Sequence, residues 1–199
     1  MTTTVHIPDT ALVDALVARL DKCSAGRATI YATRLSSSTR VTRRNTEIQA
    51  VNRLARQATG LNTDVCHHSD GAPYIPGFDG HVSVTHGASM AIMSVSHNCR
   101  TGIDAECWRE QLVRVAPRFI RPEEMSVHAA SPDSLLRAWT SKEAIFKALG
   151  ISGITLIDIC LPDRIEGLVT ISVDGHGTKD ISLTFFGDMP VCVALAELM

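Results

Sequence analysis

The sequence lacks most of the features that would place it outside the ordinary globular proteins. Its six cysteines, Cys23, Cys66, Cys99, Cys107, Cys160 and Cys192, form no CxxC pair and no run at zinc-ligand spacing. A chain of 199 residues that is 45% hydrophobic has core enough to stand without a disulfide framework. Its formal net charge is only −2, which removes any bulk electrostatic case for a nucleic-acid partner. No stretch approaches the roughly 20 apolar residues of a membrane span. The opening "MTTTVHIPDTALVDALVARL" has no basic region followed by an apolar run. No repeat is present, and the one low-complexity stretch is "SSST", Ser36 to Thr39. These absences predict a reduced, cytoplasmic protein with no nucleic-acid and no membrane partner.

The patterns that are present alternate between two periods. A first helix is expected near Thr10 to Leu20, with Thr10 as its N-cap, and "ATIYATRL" alternates like a strand. "STRVTRRNTEIQAVNRLARQATG" reads as a helix ending at Gly60, with Ile48, Val51, Leu54 and Ala55 on one face. "HVSVTH", "SMAIMSVS" and "RTGIDAE" read as a three-strand antiparallel meander. "RFIRPEEMSVHAA" reads as a turn and a short helix. "SPDSLLRAWTSKEAIFKALG" is the clearest helix, with Ser131 as N-cap, Pro132 at N1 and Gly150 just past its end. "GLVTISVDG", "DISLTFFG" and "VCVALAEL" return to strands. The fold class is α+β, in two successive halves, residues 1–99 and 100–199.

Two stretches concentrate charge among apolar residues. In "GIDAE", a strand turns Asp104 and Glu106 to one side and Ile103 and Ala105 to the core. The two carboxylates then stand about 6 to 7 Å apart at the backbone. Their repulsion is relieved by a cation between them or by full hydration, and hard oxygen ligands in this arrangement suit Mg²⁺ with a substrate phosphate. Taken alone, those three letters favour a solvated strand edge with two surface acids. In "WTSKEAIFKALG", Trp139, Glu143 and Lys147 share a stripe at i, i+4 and i+8. An exposed Glu–Lys pair contributes only about 0.3–0.5 kcal/mol. The apolar flanks Ala144, Ile145 and Phe146 instead favour a partly buried pair that needs a partner. Lys142 reads as a solvated neighbour.

Taken together, the two stretches resemble the signature of the 4′-phosphopantetheinyl transferases. That family carries G-[IV]-D followed by [FW]-[STC]-x-K-E-[AS]-x-x-K, matched in the second part by Trp139, Thr140, Lys142, Glu143, Ala144 and Lys147. "HVSVTHG", "DGAPYIP" and "RFIRPEE" are similar to segments of the longer, Sfp-type branch. They place Thr85 and His86 at a strand end, Gly71 and Pro73 in a loop, and Glu124 at an acidic position. Ala72 stands where that loop commonly has a basic residue, and Thr85 where a serine is usual. The resemblance is dense from about Asp70 to Gly150 and faint outside it.

The resemblance implies a pseudo-dimer of two similar α+β halves within one chain, each with an antiparallel meander and a long helix, and hence a monomer. It implies transfer of 4′-phosphopantetheine from coenzyme A to a serine of an apo acyl or peptidyl carrier protein, with release of 3′,5′-ADP. Mg²⁺, or Mn²⁺, would be held by Asp104, Glu106 and Glu143. In this scheme Glu143 would also take the serine proton, and Lys147 would meet the pyrophosphate. His86 is a candidate for the coenzyme's 3′-phosphate. Arg40, Arg43 and Arg44, at the start of a helix, are further candidates for it. His67 and His68 are candidates for an adenine contact. Two rivals are a non-catalytic coenzyme A or carrier-binding module of the same fold and an unrelated Mg²⁺-dependent phosphohydrolase. The second has no use for the helix motif.

Overall fold

The computed structural model describes residues 9–35 and 40–199, with side chains from residue 43 onward in the second segment. The chain runs α1 (Thr10–Leu20), β1 (Cys23–Ala25), β2 (Ala28–Arg34), α2 (Arg40–Thr59), β3 (Cys66–His67), β4 (Pro73–Tyr74), β5 (His81–Gly87) and β6 (Met90–Ser96). It continues through β7 (Thr101–Cys107), α3 (Gln111–Val115), α4 (Met125–His128) and α5 (Pro132–Leu149). It closes with β8 (Ile159–Cys160), β9 (Gly167–Val173), β10 (Gly177–Phe186) and β11 (Val191–Leu198). The fold is α+β, with antiparallel sheets ordered β1-β2-β6-β5 and β7-β11-β10-β9-β8 and a small β3-β4 ladder.

The helix signals hold with one change. Asp9, not Thr10, caps α1, its side chain accepting from the Ala11 amide at 3.0 Å. Asp ranks above Thr as an N-cap, so the helix gains a turn member at Thr10. Val51, Leu54 and Ala55 of α2 pack against the first sheet, whereas Ile48 is 50% exposed. In α5, Ser131 accepts from the Ser134 amide, Pro132 opens the first turn, and Gly150 closes the helix at φ +55.

The expected three-strand meander is a two-strand hairpin. β5 and β6 pair antiparallel, but β7 leaves them and pairs with β11, Ile103 facing Leu195 and Asp104 facing Ala194. The turn between β6 and β7 is held by Ser96 Oγ, which accepts from the Asn98 and Cys99 amides. β7 then packs over β5, where the Ile103 amide donates to Ser83 Oγ at 3.0 Å. Burial on both faces drives this departure. Ile103 and Ala105 enter the core shared with α1 and the first sheet, while the opposite face of β7 meets α5.

Gly102 makes that second contact possible. A β-carbon there would overlap the Ala144 carbonyl of α5 and lie 2.6 Å from the Ala148 amide nitrogen. Gly87 does the same for β5, whose β-carbon would overlap the Ala105 carbonyl. Backbone therefore approaches backbone on both sides of β7, and the residues that follow Gly102 on its face are Asp104 and Glu106.

Lys142 is not solvated. It is fully buried, and its ammonium donates to Glu124 Oε2 at 2.8 Å and to the Phe119 carbonyl at 2.6 Å. Glu124 also accepts from the Arg121 and Leu161 amides, both at 2.8 Å. Burial pulls the Lys142 ammonium below the usual lysine range, and the bond to Glu124 opposes that shift. This pair pins the segment after α3 and the loop before β9 to α5. No disulfide joins any of the six cysteines. Among the described residues, no helix is long and apolar enough to cross a membrane.

Candidate active site

Because β7 and α5 lie backbone to backbone, their polar side chains converge along one seam. Lys147 reaches from α5 to β7, donating to Asp104 Oδ1 at 2.7 Å and to the Ile103 carbonyl at 3.0 Å. Thr85, on β5, donates to the same Oδ1 at 3.1 Å. Asp104 is thus held from two elements and is 8% exposed. The Glu143–Lys147 pair suggested by their spacing is not made as a direct bond, since Lys147 turns across the seam. Asp104 accepts a lysine there because its strand presents the carboxylate within one side-chain length of the helix.

Glu106 and Glu143 complete the acidic cluster. Glu106 Oε2 accepts from Arg109 at 2.6 Å, and Oε1 from the Cys107 amide at 3.0 Å. Burial pushes the Glu106 carboxyl above its ordinary range, with Arg109 opposing and Asp104 reinforcing the shift. Burial likewise pushes Glu143 up; Asp104 and Glu106 add to the shift by repulsion and Lys147 opposes it. A buried carboxylate with a raised pKa is a stronger base than one in water.

Among the described residues, no three His, Cys, Asp or Glu side chains converge closely enough to cage a metal ion. The donor chemistry still suits a hard divalent cation. Three carboxylates face one seam, two of them destabilised by burial and by their neighbours.

Lys147 of this cluster lines a cleft of about 980 Å³, walled by residues between Arg44 and Thr101 and between Phe146 and Gly153. Of the residues singled out by sequence, Arg44, His67, His68, Gly71, Pro73, His86 and Lys147 line it. His86 sits 3.8 Å from Glu47, and His68 stacks on Tyr74 with ring centroids 4.4 Å apart. Arg43 is turned to Glu47 at 2.8 Å and does not line the cleft. The i,i+4 spacing of Arg43 and Glu47 carried that signal. The side chain of Arg40 lies outside the described residues. Sequence reasoning missed Glu47, Arg109 and Arg100. Arg100 borders the cleft against Gly150, where a β-carbon would collide with its guanidinium.

Residues 100–194 match the family model of the 4′-phosphopantetheinyl transferase superfamily. The matched segment begins just before β7 and spans β7, α5 and the first half of β11. No curated protein matches the chain.

Proposed function

We propose, from the match of residues 100–194 to the family model of the 4′-phosphopantetheinyl transferase superfamily, that the chain moves 4′-phosphopantetheine from coenzyme A to a serine of an apo acyl or peptidyl carrier protein. The observation that carries this reading is the seam itself. Lys147, bonded to Asp104 and charge-coupled to Glu143, lines a large cleft that also bears Arg44, Arg100 and His86. A polyanionic nucleotide needs such a cleft, and its pyrophosphate needs Lys147 at the reacting end.

In this scheme the serine oxygen forms a bond to the phosphorus on the pantetheine side of the pyrophosphate. The bond from that phosphorus to the bridging oxygen breaks, and 3′,5′-ADP leaves with the electron pair. Glu143 accepts the serine proton, directly or through water, its raised pKa matching that task. Lys147 steadies charge on the pyrophosphate while Thr85 holds Asp104 in place. Asp104, Glu106 and Glu143 would hold Mg²⁺ or Mn²⁺, which would supply charge neutralisation at the phosphates. Arg44 and His86 take the 3′-phosphate, and Gly71 and Pro73 line the adenine end with His67 and His68.

We also read the chain as two related halves, residues 1–99 and 100–199, acting as a monomer. Each half has a strand, a long helix and a returning strand that pairs with the first: β2, α2 and β6, then β7, α5 and β11.

Mixing the protein with apo carrier, coenzyme A and Mg²⁺ should add one phosphopantetheine mass to the carrier. Glu143→Gln should slow that addition by a factor of about 10² to 10⁴. A carrier that stays apo while coenzyme A binds would instead identify a non-catalytic module.

A further inference from the structure

A cleft that takes a polyanion is expected to be poor in carboxylates. Among the described residues this one is lined by two, Asp70 and Glu47. Asp70 is engaged by its own turn, Oδ1 accepting from the Ala72 amide at 2.9 Å. Glu47 has no such local task. It stands on α2, one turn after Arg43, and its Oε1 accepts from Arg43 Nε at 2.8 Å. Its Oε2 lies 3.8 Å from Nδ1 of His86, near the end of β5. The Glu47 side chain is 14% exposed, against 63% for Arg43 and 54% for His86.

This geometry separates Glu47 from a carboxylate that merely orients a histidine. At 3.8 Å the contact with His86 is too long for a hydrogen bond, so it fixes neither the ring nor its tautomer. The direct bond goes instead to Arg43, which is thereby turned from the cleft. Arg44 shares the same side of α2, at i,i+3 from Glu47. A half-buried charge is also screened less than an exposed one. Glu47 therefore contributes negative charge where Arg44 and His86 offer positive charge.

We propose that Glu47 is an internal competitor of the coenzyme's 3′-phosphate, a reading that rests on the proposed transferase activity. It contends with that phosphate for the cations of α2 and β5, and so lowers the affinity for every ligand that carries it. The 3′,5′-ADP left by transfer keeps the 3′-phosphate, so the same carboxylate favours its departure. Glu47 acts here through charge alone and makes or breaks no covalent bond.

The test is calorimetric binding of coenzyme A, and of coenzyme A lacking the 3′-phosphate, to the parent, Glu47→Gln, Arg43→Ala and the double variant. Thermal melts establish that each is folded. Glu47→Gln should bind coenzyme A about three- to tenfold more tightly, the gain from removing one like charge in a solvent-open cleft. Its affinity for the dephosphorylated analogue should change by less than about twofold. Product inhibition by 3′,5′-ADP should strengthen by the same factor as coenzyme A binding. Arg43→Ala uncovers the carboxylate, so it should weaken coenzyme A binding when Glu47 is present and have little effect once Glu47 is Gln. Unchanged or weaker coenzyme A binding by Glu47→Gln would overturn the inference, as would an equal gain on both ligands. An Arg43→Ala loss of one size in both backgrounds would make Arg43 a direct contact and overturn it too. A parent that binds neither ligand would overturn the transferase reading, and this inference with it.

Discussion

Removing the ammonium of Lys142 should unfold the protein far more readily than the loss of an ordinary helix ion pair. Lys142→Met keeps most of the aliphatic stem and deletes the charge. Glu124 then keeps its bonds from the Arg121 and Leu161 amides but loses its only cationic hydrogen-bond partner among the described residues. Both side chains of the pair are essentially buried, at 0% and 2% exposure. Breaking a buried pair from one side costs about 3–5 kcal/mol, against about 0–1 kcal/mol for an exposed one. At about 2–4 °C per kcal/mol for a domain of this size, the melting temperature should fall by roughly 6–20 °C. Urea unfolding at neutral pH gives the free energy directly. Adding Glu124→Gln removes the stranded charge while one side-chain oxygen still accepts an amide, so the double variant should lose less than the sum of the single losses. A loss below about 1 kcal/mol for Lys142→Met would refute the argument, because it would mean that the pair is solvated.

Further outcomes follow from the seam. Gly102→Ala would force a β-carbon into the Ala144 carbonyl; it should cost about 1–3 kcal/mol in unfolding and depress turnover, and a melt like the parent's would show that α5 can move aside. The acid limb of kcat/KM should have its midpoint above 4.5, since Glu143, the proposed base, accepts a proton only when ionised and its pKa is raised from that value; a limb at or below 4.5 would remove Glu143 as the base. The same shift has the opposite sign for folding. The stability it contributes is present below pH 4.5 and lost as pH rises through the raised value, so Glu143→Gln should melt no lower than the parent at pH 8. Transfer should stop in EDTA and resume with Mg²⁺ or Mn²⁺; full turnover in EDTA would exclude a metal-dependent site.

How much of this was legible depended on the range of the interaction. Local signals carried α5 whole: Ser131 and Gly150 mark its ends through contacts within one turn. The face shared by Asp104 and Glu106 followed from strand geometry alone. What the sequence concealed was set by partners far along the chain. Nothing near Lys142 announces Glu124, and a lysine in a helix is solvated by default. β7 looked like the third strand of a meander because hairpins are the cheapest local pairing. Its real partner, β11, wins through burial on both faces. Arg43, a candidate for the 3′-phosphate, pairs instead with Glu47 one turn on, a partner its i,i+4 spacing offers.

That distant pairing bears on the order in which the molecule can be built. Asp104 sits opposite Ala194, so the carboxylate strand reaches its ladder partner about ninety residues after it is synthesised. At ribosomal rates of about 5–20 residues per second, β7 waits several seconds with the hydrogen-bonding edge that β11 will occupy still open. The first sheet can close in that interval, since β1, β2, β5 and β6 precede β7. The β7 ladder is therefore completed late, after the seam residues on β7 and α5 have been made, and a nascent chain stalled before β11 would present an apolar, unpaired strand to whatever meets it.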